Sequence, residues 1–223
     1  MHDEKPDDAP ADAVGARYGL ANSLPEAGQL REAQVEYEIV LERGPEVFGE
    51  GHPKLLTVQM MIADCHAEVG DLEEAVRLYA EIGPRTKEHF GTNHPSSIVR
   101  SNNWAFYLGK LGRYEEAESL WRDVCAAAEE CYGSSGVQLA GYLASHGHCL
   151  FDQKKYAESI PLRKRAELIY EEKLGAEDLK TKEARLEWLT SCRMAEESLS
   201  EEQGQEAYRL MREVLSIDKK EAD

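Results

Sequence analysis

Residues 101–118 read SNNWAFYLGKLGRYEEAE, and this stretch decides the fold because its pattern recurs along the chain. The turn glycine, Gly112, has counterparts at Gly28 and Gly70, so the interval is 42 residues. The Glu-Ala pair and the glycine-ended pair that closes each repeat keep the same interval. A period of this length fits stacked helical pairs, HEAT-type repeats or four-stranded propeller blades.

Residue types within each repeat favour helices over strands. Ala, Glu, Leu, Lys and Arg are abundant, and all of them are good helix formers. In the third repeat, Ser101, Trp104, Ala105 and Leu108 fall at the spacing of one helix face. Each repeat is therefore predicted to be a helix, a glycine turn and a second helix. The predicted first helices lie near 14–27, 54–69, 96–111, 138–152 and 180–196, and the second helices near 29–44, 71–89, 113–131, 155–173 and 203–217.

Small residues recur at two positions where paired helices should touch. A large side chain there would force the helices apart, so we expect both positions to be buried. The first-helix column is Ala21, Ala63, Ala105 and Gly147, and the second-helix column is Ala33, Ala75, Ala117 and Ser159. Aromatic residues four positions further on are expected to fill the core; they are Tyr37, Tyr79 and Trp121.

The third repeat resembles a tetratricopeptide repeat. The residues that carry the resemblance are Asn102-Asn103-Trp104-Ala105, Gly112-Arg113-Tyr114 with Glu116-Ala117, and Tyr132-Gly133. They are similar to the variety found in kinesin light chains, which is also common in bacterial signalling proteins. The His-Pro pairs at 52–53 and 94–95 match that variety too. The resemblance implies an all-α fold, a right-handed superhelical solenoid of about five antiparallel helix pairs.

The chain departs from the repeat pattern at several places. Lys154 replaces the turn glycine of the fourth repeat and Arg163 its aromatic residue, and Gly136-Val137 and Asp178-Leu179 replace His-Pro. At Gly83-Pro84 we expect a kink or break, because proline removes a helical hydrogen bond. The predicted repeats are 14–53, 54–95, 96–137, 138–179 and 180–217, with a longer turn around 199–203, a disordered acidic tail at 1–13 and a charged end at 218–223.

Charge and composition exclude several classes of function. The formal net charge is −17, which repels phosphate backbones and disfavours nucleic acid as a partner. No apolar stretch is long enough to predict a secretory signal or a membrane span. The five cysteines form no CxxC pair, as is typical of reduced thiols. We therefore expect a cytoplasmic protein without a membrane partner.

The resemblance implies that the first helices line a concave groove that binds a protein or peptide segment. Asn102 is the leading candidate, since its amide offers a donor and an acceptor to a peptide backbone; a packing or capping role is the alternative. With one cation, Lys110, the stripe suits a peptide with apolar anchors better than a terminal carboxylate. A second copy of the chain is an alternative occupant. The predicted groove residues are Tyr18, Asn22, Met60, Asp64, Asn102, Phe106, Lys110, His148 and Phe151.

A basic stretch in the fourth repeat is a second candidate surface. Its cations would suit an acidic protein as a partner. The alternative is a solvated face on which these cations pair with neighbouring glutamates. The members of the stretch are Lys154, Lys155, Arg163, Lys164 and Arg165.

No residue pattern points to catalysis or to a metal. His146 and His148 differ by about 200° around a helix and face apart. Cys65 and Cys149 occupy equivalent positions without the His/Asn context of a nucleophile. We therefore predict a non-catalytic scaffold that binds a protein or peptide and needs no cofactor. The alternatives are a regulatory sensor or accessory protein, which binds a small peptide or a biosynthetic enzyme, and an enzyme without a recognised motif.

Overall fold

The structure, a computed structural model, describes residues 11–195, 200–207 and 209–210. All regular secondary structure in those residues is helical, which confirms the all-α prediction. A short 3₁₀ turn spans Pro25–Ala27, and residues 201–207 are also helical. The other helices of this part of the chain are α1 (Ala11–Ser23), α2 (Leu30–Phe48), α3 (Pro53–Glu68), α4 (Leu72–Phe90), α5 (Pro95–Lys110), α6 (Tyr114–Tyr132), α7 (Val137–Asp152), α8 (Tyr156–Leu174) and α9 (Leu179–Met194).

The chain divides into two compact units, with the boundary between Thr92 and Asn93. In the N-terminal unit, α1 packs on α2, α2 on α3 and α3 on α4. In the C-terminal unit, consecutive helices from α5 to α9 pack in the same way, and α5 also contacts α7. Within each unit, helices adjacent in sequence are therefore adjacent in space. The division of the chain into five repeats stays a prediction.

The His-Pro pairs begin α3 and α5, where we expected each new repeat to start. Nδ1 of His52 accepts a hydrogen bond from the backbone N–H of Lys54 at 3.1 Å, and Nδ1 of His94 caps α5 in the same way at 3.2 Å. Each imidazole thereby satisfies a backbone donor that has no partner within the helix. Asp178 replaces histidine before α9, and its carboxylate accepts the equivalent bond at 2.9 Å.

The columns of small residues are buried, as predicted. Their members are Ala21, Ala63, Ala105, Gly147, Ala33, Ala75, Ala117 and Ser159. Gly147 shows why size matters, because a Cβ added there would lie 2.7 Å from Cγ of Arg163. The aromatic side chains of Tyr37, Tyr79 and Trp121 are buried too. These columns set how closely the paired helices approach.

Prolines lie inside three of the described helices without interrupting them. Of the kink or break predicted at Gly83-Pro84, the break is wrong, because α4 is continuous through Pro84; the kink stays a prediction. Pro84 and Ala80, whose carbonyl it leaves unbonded, are both exposed, so the ring has room and water can reach that carbonyl. α2 likewise runs through Pro45 and ends at Phe48, beyond the predicted end at residue 44.

The ends of the fold differ from prediction in three places. α1 begins at Ala11, so the last residues assigned to the acidic tail are helical, and it ends at Ser23 instead of continuing to residue 27. Pro25 begins a 3₁₀ turn there, and because proline has no backbone N–H it cannot donate the hydrogen bond that would continue α1. Residues 201 and 202 are helical where a turn was expected. The remaining predictions for 1–10, 196–199, 208, 211–217 and 218–223 lie outside the described residues.

Candidate functional site

A cleft of about 190 Å³ opens in the C-terminal unit beside α5 and α7. Phe106, Gly109 and Lys110 line it from α5, and His148 and Asp152 line it from α7. The two helices are first helices of consecutive predicted repeats, and they contact each other. The structure therefore brings three of the predicted groove residues, Phe106, Lys110 and His148, into one cleft.

Phe106 gives the cleft an exposed apolar surface, with 45% of the residue accessible. Its ring contacts Tyr107 edge-on, with 5.4 Å between ring centroids. Nζ of Lys110 lies 5.2 Å from the Phe106 centroid, a cation–π contact between residues one helical turn apart. A bound segment would find an aromatic face and a positive charge side by side.

The α7 wall of the cleft carries a pair of titratable side chains. Nε2 of His148 lies 3.6 Å from Oδ2 of Asp152, and the two side chains are 59% and 50% exposed, respectively. The pair is ionic only when His148 is protonated. Asp152 was not among the predicted groove residues, although its position one turn after His148 is the signal that could have found it.

Gly109 lines the cleft without contributing a side chain to it. A Cβ added at Gly109 would lie 4.0 Å from Sγ of Cys149 and meet no closer atom. Cys149 also lines the cleft. Burial raises the pKa of the Cys149 thiol, and a protonated thiol is a poor nucleophile. The Cys149 thiol is therefore in its less nucleophilic, protonated form at neutral pH.

Two other predicted residues of the C-terminal unit are held by their neighbours. Asn102 is half-buried, and its Nδ2 donates to Oδ1 of Asn103 at 2.9 Å. Phe151 is half-buried between the Tyr156 ring, at 4.9 Å, and the Arg163 guanidinium, at 4.6 Å. Their exposed surface is smaller than that of Phe106.

In the N-terminal unit, internal hydrogen bonds engage the corresponding positions. Asn22 and Asp64 belong to the same 42-residue column as Phe106. The Tyr37 hydroxyl donates to Oδ1 of Asn22 at 2.8 Å, and the Tyr79 hydroxyl donates to Oδ1 of Asp64 at 2.5 Å. Each tyrosine belongs to the aromatic column that fills the core. The two polar side chains are thus partnered within their own repeats.

The other two predicted residues of the N-terminal unit pack inward to different degrees. Tyr18 is half-buried and meets the Tyr37 ring edge-on, with 6.4 Å between centroids. Nζ of Lys54 lies 5.5 Å from the Tyr18 centroid. Met60 is buried. Met60 is therefore a core residue, and Tyr18 lies at the boundary between the core and the surface.

Three cations of the basic stretch are paired with acidic side chains. Nζ of Lys155 donates to Glu118 at 2.7 Å, and this hydrogen bond lowers the pKa of Glu118. Arg165 donates two hydrogen bonds to the Glu129 carboxylate, at 2.6 and 3.2 Å. Lys164 pairs with Glu167 at 2.9 Å. The sequence alternative expected partners within the same repeat, at Glu158, Glu167, Glu171 and Glu172; Lys164 has such a partner, whereas Lys155 and Arg165 pair with glutamates of α6.

Arg163, the fourth of these cations, is a core residue and is 3% exposed. Its Nη1 donates to the backbone carbonyl of Glu187 at 3.0 Å and to Oγ of Ser191 at 2.9 Å. Burial lowers the pKa of its guanidinium. Lys154 remains as an exposed member of the stretch.

The described residues give no sign of a metal centre. No group of three His, Cys, Asp or Glu side chains in that part of the chain could hold a metal ion. His146 is 6% exposed whereas His148 is exposed, so the two side chains face apart. None of the described helices is long and apolar enough to cross a membrane.

Two stretches of the chain match family models described as tetratricopeptide repeats. The first covers residues 12–82 and the second covers residues 101–135. The second stretch contains most of the residues that carried the resemblance in the sequence. No curated protein sequence matches this chain.

Solved structures share the fold at low sequence identity. The TPR-like repeats of a kinesin light chain-like protein from Podosopora anserina are 20% identical, with a TM-score of 0.75 over 95% of this chain and 98% of that one. BtubC (BKLC) from P. vanneervenii is 16% identical, with a TM-score of 0.74 over 95% and 82%. PlcR of Bacillus thuringiensis, solved with the peptide PapR7 and DNA, is 13% identical, with a TM-score of 0.60 over 95% and 74%.

Identities this low show the fold alone, and the family models add the repeat itself. Repeats of this kind stack helical pairs and use the resulting surfaces for binding. The repeats and the fold support a protein–protein interaction scaffold. The chain thus carries tetratricopeptide repeats at residues 12–82 and 101–135, in a fold like that of kinesin light chain-like repeats.

Proposed function

We propose that the C-terminal unit binds a peptide segment of a partner protein in the cleft beside α5 and α7, without catalysis. The observation that carries this proposal is the convergence of Phe106, Lys110 and His148 on one cleft with an exposed aromatic ring. The segment is extended or helical and inserts an apolar side chain against Phe106. A cytoplasmic setting, in which the cysteines stay reduced, belongs to the same proposal.

The affinity would come from a small number of contacts. Burying a whole phenylalanine side chain contributes roughly 1.5–3 kcal/mol. Because Phe106 is already more than half buried, covering the rest contributes about 1 kcal/mol. Lys110 and the His148–Asp152 pair add polar contacts at the rim, where they favour correct orientation over affinity.

The N-terminal unit supports this assignment by contrast. Its column residues Asn22 and Asp64 already accept hydrogen bonds from Tyr37 and Tyr79. A ligand that displaced either tyrosine from its acceptor oxygen would cost about 1 kcal/mol of net stabilisation, whereas the amide N–H groups of Asn22 take no part in that bond. Phe106 has no such competing bond, since its side chain is apolar.

The test is an affinity pull-down from native lysate with the full chain and two cleft variants. Phe106→Ala removes the exposed ring, and Gly109→Leu fills the cleft from a position where a Cβ has room. We expect the recovered partner to fall by about fivefold for Phe106→Ala and to be lost for Gly109→Leu. Circular dichroism checks that each variant stays folded.

Leu168→Ala is the matched control, because it removes an exposed apolar side chain of α8 outside the cleft. Its partner recovery should equal that of the unmodified chain. If Gly109→Leu is folded and retains every partner, binding through the cleft is excluded.

A second candidate function is a sensor that binds a small effector peptide. Its support is the shared fold with PlcR, whose structure contains a peptide. Under this alternative the ligand is a free peptide rather than part of a protein. Size-exclusion chromatography of the captured complex separates the two, since a partner protein increases the eluted mass far more than a short peptide does.

A further inference from the structure

A second cleft, of about 380 Å³, lies in the N-terminal unit between the turn before α3 and the last turns of α4. Its buried lining comes from Leu55 and Leu56 of α3. The polar residues that line it are exposed: His52, Arg85, Glu88 and His89. None of these residues belongs to the peptide cleft of the C-terminal unit or to the predicted groove.

His52 presents a defined hydrogen-bond donor to this cleft. Its Nδ1 accepts from the backbone N–H of Lys54 at 3.1 Å. In a neutral imidazole the nitrogen that accepts carries no proton, so Nε2 carries it and is a donor. The helix cap therefore fixes the tautomer, and His52 offers an N–H rather than an acceptor to whatever enters the cleft.

Arg85 offers a second set of donors. Its Nη1 donates to Oε1 of Gln59 at 3.1 Å, which orients the side chain. A guanidinium has five N–H donors in a planar fork, a geometry that matches the oxygens of phosphate and carboxylate groups. The amino end of α3 begins at Pro53, beside His52, and its helix dipole adds a partial positive charge on the same side.

The charges at this cleft balance, unlike those of the whole chain. With histidines counted as neutral, the chain carries −17, whereas at the cleft the Arg85 guanidinium stands against one carboxylate, Glu88, and two imidazoles add hydrogen-bonding groups. Donors from His52, Arg85 and His89 suit a group with three acceptor oxygens better than a carboxylate with two. The leucine lining suits an apolar stem that carries such a group.

We infer that this cleft is a binding site for a phosphate oxyanion. The oxyanion is either free phosphate or the phosphate of a phosphorylated side chain. Arg85 and His52 are its main donors, and Glu88 opposes its binding. The site shares no residue with the proposed peptide cleft, so an experiment can refute either proposal without refuting the other.

The test uses nuclear magnetic resonance on the ¹⁵N-labelled full chain at low salt and neutral pH. The probes are inorganic phosphate, N-acetyl-phosphoserine amide and, as the uncharged control, N-acetyl-serine amide. We expect both phosphates to shift the backbone amide signals of Gly51, His52 and Lys54 in a saturable way, and the uncharged probe to leave them unchanged. Tighter binding of the phosphoserine probe assigns the site to a phosphorylated segment; equal binding assigns it to free phosphate.

Three variants test which residues bind the oxyanion. Arg85→Gln should weaken binding about tenfold, because it removes a charge-assisted hydrogen bond. Glu88→Gln should tighten binding by removing the opposing charge, and it keeps the test decisive even if Arg85→Gln folds poorly. Arg77→Gln is the matched control, since Arg77 is an exposed arginine of α4 that pairs with Glu74 instead.

The outcomes are distinct. A tenfold loss for Arg85→Gln with an unchanged Arg77→Gln supports the site. Equal weakening by both arginine variants would show general charge screening and overturn it. Amide shifts that are absent from residues 51–54, or that never saturate, would overturn it as well.

Discussion

Lys154 is the residue at which the repeat pattern carries conformational strain. Its φ is 62°, and the corresponding glycines, Gly28, Gly70 and Gly112, have φ of 73°, 93° and 74°. The turn between paired helices therefore requires the left-handed conformation whichever residue is present. A side chain in that conformation costs about 1–2 kcal/mol relative to glycine.

Lys154→Gly is expected to stabilise the protein by about 1 kcal/mol, because it removes that strain at an exposed site. The reverse change, Gly112→Ala, should destabilise by a similar amount. Urea unfolding measures both free energies. A Lys154→Gly variant less stable than the unmodified chain would contradict the argument.

We expect His146 to make the stability of the protein depend on pH. It is 6% exposed, its Nε2 has no hydrogen-bond partner in the described part of the chain, and burial lowers its pKa. The charged groups that act on it are Glu118 and Arg122 of α6. In the unfolded chain this histidine takes up a proton at about pH 6.5, and in the folded chain it does so only at lower pH. The free energy of unfolding is therefore unaffected by this group above about pH 6.5 and decreases as the pH falls below that value.

The carboxylates titrate both in the unmodified chain and in His146→Leu. Comparing the two therefore isolates the contribution of His146 to the pH dependence of stability. We expect the stability of His146→Leu, relative to the unmodified chain, to increase as the pH falls from about 7.5 to about 5.5. Urea unfolding at the two pH values is the measurement. A stability difference that does not change with pH would show that His146 is not the titrating group.

At the scale of helices, the distance between neighbours depends on residues that lack a side chain. Gly147 of α7 lies against Arg163 of α8, and Gly44 of α2 lies against Leu55 of α3, where an added Cβ would come within 2.5 Å of Cδ2. Gly109 of α5 differs, since an added Cβ would touch only Cys149 at 4.0 Å. One residue type therefore serves close packing at two positions and leaves a cleft open at the third.

The same substitution should have opposite effects at two of these glycines. Gly109→Ala is expected to stabilise the protein by about 0.5–1 kcal/mol, because alanine is the better helix former. Gly147→Ala should destabilise it by about 1–3 kcal/mol, because the buried Arg163 cannot move aside without losing hydrogen bonds. Thermal unfolding of the two variants side by side measures both signs, and stabilisation by Gly147→Ala would refute the packing argument.

At the scale of the whole molecule, the features that suit binding are divided between two units. Phe106, Lys110 and His148 all belong to the C-terminal unit. The oxyanion cleft belongs entirely to the N-terminal unit. Because repeat proteins depend on contacts between neighbouring repeats, a run of consecutive repeats can fold without the rest of the chain.

We therefore expect a fragment of residues 93–223 to retain the protein partner of the full chain, and a fragment of residues 1–92 to lack it. Pull-downs with the two fragments, each checked for helical content by circular dichroism, measure this. Recovery of the same partner by the N-terminal fragment alone would place recognition in the other unit.

Most helix boundaries and the buried columns were predictable because they follow from local rules. Glycine turns, His-Pro starts and apolar spacing each act within a few residues, and they repeat along the chain. The uninterrupted helix through Pro84 was not predictable, because it depends on which face of α4 meets solvent. The hydrogen bonds that Asn22 and Asp64 accept were not predictable either, because each donor tyrosine lies 15 residues away on another helix.

The sequence by itself determined that this protein is built from repeated helical pairs, since helix propensity, turn chemistry and a 42-residue period are all written in the chain. Only the tertiary structure decided which positions of the repeat line a cleft and which are engaged by neighbouring side chains. Tyr37 and Tyr79 satisfy the polar side chains of two repeats, whereas Gly109 and Phe106 leave a cleft in the next. The physical reason is that equivalent positions have the same backbone geometry, whereas the exposure of their side chains depends on the residues that pack against them.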